Sequence, residues 1–153
     1  MFKTILVAVD ASPQTDPVLS QAADLALHLG AEVHVVSVND ATSHWELGVT
    51  GPAPALFDII DQDVFATLDK ATRTLAHRGI TCHTHAPTGM AAQEIAALAE
   101  KIAADMVIIG HRHLSWLGRL MEESVGSSLL ARSPCSVLIV VEPHITPPTQ
   151  PTP

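Results

Sequence analysis

The run Ile108-Ile109-Gly110-His111-Arg112-His113, followed later by Ser124 and then by Val137-Leu138-Ile139-Val140-Val141, decides the fold. An apolar strand ends at a glycine, a polar loop and a helix follow, and a second apolar strand closes the unit. In that layout loop amides and a helix N-terminus face an anion, most often a nucleotide phosphate.

The same alternation extends back to the N-terminus. Residues 3–9 (KTILVAV) form a continuous apolar run, expected of a strand covered on both faces. Asp10-Ala11-Ser12-Pro13 ends it and opens a helix, with Ser12 as cap and Pro13 in the first turn. Val18, Leu19, Ala22, Leu25, Ala26 and Leu29 mark one helical face, which Gly30 stops. Residues 32–38 read as a second strand, 39–54 as a long loop and 56–77 as a second helix. Residues 80–86 alternate polar and apolar, as at a sheet edge, and a third helix begins at Gly89. Residues 106–109 and 137–141 supply the fourth and fifth strands. Strands alternating with helices in this way predict an α/β fold with a doubly wound five-stranded parallel sheet. Residues 1–142 form one domain, and 143–153, with Pro143, Pro147, Pro148, Pro151 and Pro153, are expected to be a disordered tail.

Composition excludes several function classes. At 47% hydrophobic and 16% charged residues, the chain has the makings of a full core. A net charge of −8 with only eight basic residues argues against nucleic acid and anionic membranes as partners. Cys82 and Cys135 are the only cysteines and form no C-x-x-C, so a reduced, cytoplasmic protein is expected. No apolar run reaches the ~18 residues of a membrane span.

Signatures of catalysis are missing: the sequence contains no G-x-x-x-x-G-K-[ST], G-x-S-x-G, H-E-x-x-H or G-x-G-x-x-G. No catalytic residue is therefore assigned. Of the nine histidines, His83 and His85 share one face of a strand, and His111 and His113 repeat the spacing on a loop. A zinc site needs at least three convergent ligands, and neither pair has an evident third partner, so no metal is expected. The apolar last strand, Val137, Leu138, Ile139, Val140 and Val141, is an aggregation hazard at a sheet edge unless paired, which points to a homodimer.

Four segments carry a resemblance over about residues 1–142: ILVAVDAS at 5–12, GMAAQEI at 89–95, ADMVIIG at 104–110 and SPCSVLIV at 133–140. In that order and spacing they resemble the universal stress protein family. The resemblance implies a five-stranded parallel sheet flanked by four helices, of the adenine nucleotide α-hydrolase-like type, in dimers joined through the last strand. Many members bind ATP through a loop G-x2-G-x9-G-[ST] after the fourth strand. Here Gly110 and Ser124 hold the ends of that pattern, while His113 and Glu123 stand at its second and third glycines. The loop is more similar to the universal stress protein A subgroup, regarded as lacking ATP binding. By resemblance, the nucleotide-binding candidates are Asp10, Ala11, Ser12, Val38, Gly110, Arg112, His113, Ser124 and Val125. The function expected is a cytoplasmic, non-enzymatic, homodimeric stress-response protein with weak or no ATP binding. The alternative is an ATP- or AMP-binding switch using the loop after the fourth strand.

Overall fold

The computed structural model describes residues 1–39, 53–110 and 131–141. The elements run β1 (Thr4–Ala8), α1 (Thr15–Leu29), β2 (Glu32–Val36), α2 (Ala53–His77), β3 (Cys82–His85), α3 (Ala91–Lys101), β4 (Met106–Gly110) and β5 (Ser136–Val140). All strand pairs are parallel, in the order β3-β2-β1-β4-β5. The doubly wound five-stranded sheet is thus present. Three α-helices lie among the described residues, and the expected fourth, between β4 and β5, falls outside them except for helical Ala131 and Arg132.

The pleat divides the apolar strand residues between two cores. Ile5, Val7, Val33, Val35 and Ile108 pack with Val18, Leu19 and Ala22 of α1 and with Leu68, Ala71 and Leu75 of α2. Leu6, Ala8, Val36, Val107 and Ile109 pack on the other face with Ala92, Ile95 and Ala99 of α3. Central strands covered on both sides have no polar face, which is why β1 and β4 read as unbroken apolar runs.

The element boundaries differ from the sequence reading in informative ways. Ser12 does not cap α1. The helix begins at Thr15 with Gln14 as N-cap and no side-chain cap bond, and Pro17 rather than Pro13 lies in its first turn. The cause is local: the Asp10 side chain and the Thr15 hydroxyl close a turn over residues 10–15, which delays the helix. α2 starts at Ala53, inside the stretch read as loop, with Pro54 at a position where its missing N–H costs nothing. Gly30 ends α1 as expected, at φ 63°, a left-handed cap that glycine adopts without strain. The proposed tail, 143–153, lies outside the described residues.

Candidate functional site

Strand order reverses between β1 and β4, and the crevice beyond the carboxyl ends of those strands is where open α/β sheets receive ligands. Five of the sequence candidates sit at that end. Asp10, Ala11 and Ser12 follow β1, Val38 follows the neighbouring β2, and Gly110 terminates β4. Arg112, His113, Ser124 and Val125, together with Glu123, lie outside the described residues.

The loop after β1 is a built turn. The Ser12 amide donates to Asp10 Oδ1 at 2.8 Å, the Thr15 hydroxyl donates to the Asp10 carbonyl at 2.6 Å, and the Asp10 amide donates to Thr15 Oγ1 at 3.2 Å. Thr15 is buried, so these bonds hold the turn in a fixed shape at the edge of the crevice. Thr15 was not legible as a site residue, because its role depends on facing back toward a residue five positions earlier.

Gly110 lies against the start of α1. A Cβ built there would stand 3.1 Å from Gln14 Oε1 and 3.2 Å from Val18 Cγ2. Any larger residue would push the end of β4 away from the first turn of α1, which explains the glycine by close approach rather than by backbone angle.

Asn39 is the residue the sequence reading missed, having been placed at the start of a loop. It is 4% exposed and ties the end of β2 to the segment before α3. Its amide donates to the Pro87 carbonyl, and its own carbonyl accepts the Gly89 amide. Asn39 Nδ2 donates to Asp61 Oδ1 at 2.6 Å, while Asn39 Oδ1 is buried without a partner among the described residues. A polar atom in that state is a ready acceptor for a ligand hydroxyl or amine.

β5 forms one outer edge of the sheet. Leu138 and Val140 reach the α1 side and Val137 and Ile139 the α3 side, all only partly buried, and Val141 just beyond is 59% exposed.

The opposite edge, at β3, holds the histidine pair singled out from the sequence. His83 and His85 do share a face, and Cys82 points to the other, against the α1/α2 core. The expectation that this pair lacks a third partner is corrected by the strand beside it. His34 of β2 is in register with His83, and Glu32 lies two residues before it on the same face. Glu32 Oε1 is 2.7 Å from His83 Nε2 and 3.2 Å from His34 Nε2, and His34 Nδ1 is 2.9 Å from His85 Nε2. Burial, and then neighbouring imidazoles, lower the His34 and His85 pKa values and favour the neutral rings.

The model of the universal stress protein family matches residues 1–141. Universal stress protein MJ0531 of Methanocaldococcus jannaschii is 26% identical over 143 residues, covering 94% of this chain and 84% of that protein. A universal stress protein solved in complex with cAMP superposes with a TM-score of 0.65 at 24% identity, covering 91% of this chain and 96% of that one. The universal stress protein from Archaeoglobus fulgidus in complex with dAMP also gives a TM-score of 0.65, at 22% identity, covering 90% and 97%. At these identities the two solved structures speak for the fold.

Proposed function

The chain belongs to the universal stress protein family, and on that premise we propose that it is a non-enzymatic stress-response protein, working as a homodimer joined through β5 and binding adenine nucleotide weakly or not at all. The observation that carries this reading is the β5 edge. After Ser136 its side chains are apolar on both faces and only partly covered, and its outer backbone groups have no neighbouring strand within the described sheet. Pairing with a second copy would cover both at once, by a two-fold contact. The free cysteines Cys82 and Cys135 fit a reducing, cytoplasmic setting.

Weak nucleotide binding follows from the loop composition. A carboxylate at Glu123, brought within ~4 Å of a phosphate charge, costs about 1–4 kcal/mol per charge pair depending on screening. A non-catalytic role agrees with Asp10, whose Oδ1 accepts the Ser12 amide and so shapes a turn. Light scattering on the full chain together with calorimetry against ATP and AMP tests the reading. The expected result is a dimer mass with no binding in the micromolar range.

Micromolar affinity would favour the second reading, an ATP- or AMP-binding switch. Its support is the buried Asn39 Oδ1 beside the crevice, without a partner among the described residues, and the cAMP- and dAMP-bound relatives. In that case Asp10, Ala11, Ser12 and Val38 would receive the nucleoside end, and Gly110, Arg112, His113, Ser124 and Val125 the phosphates.

A further inference from the structure

We propose that Glu32, His34 and His83 form a binding site for a borderline divalent transition-metal ion of the Zn2+ class, on the α3 face of the sheet beside the β3 edge. Strand register brings the three side chains together. β2 and β3 are parallel and place His34 directly opposite His83. Side chains two apart on a strand share a face, so Glu32 joins them there. Their donor atoms, a carboxylate oxygen and two ring nitrogens, all lie within 4.8 Å of one another. Ligands bound at about 2.0–2.1 Å to one tetrahedral ion stand about 3.3 Å apart, so small side-chain rotations at the two exposed members complete the approach. Glu32 Oε1 is already 3.2 Å from one imidazole nitrogen and 2.7 Å from the other.

The chemistry of the donors selects the ion. Two imidazoles and one carboxylate suit Zn2+ and its neighbours in the first transition row, whereas Mg2+ and Ca2+ prefer oxygen alone. Three protein ligands leave a fourth position for water. His85 adds the outer support that metal-bound histidines generally have. With His34 Nε2 on the ion, His34 Nδ1 keeps its proton and donates to His85 Nε2, already 2.9 Å away. His34 is the anchored member, 13% exposed, while Glu32 and His83 are open to an entering ion at 55% and 59%. The site rests on paired strands, which hold ligand positions more tightly than a loop.

Glu32 opens β2, so the site lies toward the amino end of the strands, away from the crevice beyond their carboxyl ends. Its test is therefore independent of nucleotide and of the dimer. The full chain is freed of metal with a chelator, dialysed and titrated with Zn2+ by calorimetry at pH 7.5. Co2+ absorption reports coordination geometry in parallel. One equivalent is expected to bind, with affinity falling at least tenfold in His83→Ala and in Glu32→Gln and unchanged in His28→Ala, an exposed position of α1. His34→Ala should also lose binding, but it disturbs a more buried position, so the two exposed variants decide. No Zn2+ uptake by the wild-type chain, or equal affinity in wild type, His83→Ala and Glu32→Gln, would overturn the assignment. In the latter case the ion resides elsewhere on the chain.

Discussion

Thr4 and Asp105 exchange hydrogen bonds in both directions: the Thr4 amide donates to Asp105 Oδ2 at 2.9 Å, and the Asp105 amide donates to the Thr4 carbonyl at 2.9 Å. The Lys3 amide adds a second bond to the same carboxylate oxygen at 2.7 Å. This clamp sets the start of β1 against the start of β4, the two strands between which the crevice opens.

The clamp predicts a specific acid dependence. Backbone hydrogen bonds from Lys3 and Thr4 hold the Asp105 carboxyl below its ordinary value of 3.8. A depressed carboxylate pKa means that the unfolded chain binds the proton first. The contribution to stability is complete above about pH 4 and is lost as pH falls through the depressed folded value. Urea unfolding midpoints measured from pH 7 down to pH 2.5 should fall less steeply below pH 4 in Asp105→Asn than in wild type.

At the other end of β4, Gly110→Ala should destabilise the fold by about 1–3 kcal/mol, the usual cost of overpacking. The added methyl meets Gln14 Oε1 at 3.1 Å and the buried Val18 side chain at 3.2 Å. Adding Gln14→Ala to that variant should recover part of the loss, because it removes one of the two contacts and leaves the one with the buried Val18. Chemical denaturation of wild type and the two variants measures both effects.

The proposed dimer makes Ile139 a sensitive position. A charge placed there, as in Ile139→Glu or Ile139→Arg, would have to be desolvated at the paired edge, which costs several kcal/mol. Light scattering should report a monomer, with circular dichroism confirming that the sheet persists. An unchanged dimer mass would show that copies meet through another surface.

Removing both departures from the phosphate-loop pattern should raise nucleotide affinity. His113→Gly with Glu123→Gly restores backbone freedom and eliminates a charge whose repulsion is about 1–4 kcal/mol. Calorimetry with ATP should then show affinity at least about tenfold above wild type. No gain would mean that other residues limit binding.

The histidine edge and the crevice illustrate different limits of sequence reading. Gly110 and Asp10 were legible as crevice residues because each immediately follows an apolar run, with Ser12 in the same loop as Asp10, and parallel α/β sheets put such residues at one end. Asn39 also follows a strand, but its importance comes from a partner on α2, Asp61, and from the segment at 87–89. Nothing in its local sequence distinguishes it from a loop asparagine. The helix start near Ser12 was misread for a related reason, since capping preference describes one residue while the observed turn is closed by the Asp10–Thr15 pair.

By itself the sequence determined the layer architecture, because strands covered on both faces must be continuously apolar and the helices between them must carry one apolar stripe. It also determined that His83 and His85 share a face, since side-chain direction alternates along any strand. Only the tertiary structure decided what that face meets. Pairing of β2 with β3 brings His34, from far earlier in the chain, into register with His83, and Glu32 joins them on the same face. Strand neighbours and register come from the cooperative packing of two cores, and a short-range pattern carries no record of which distant strand will lie alongside.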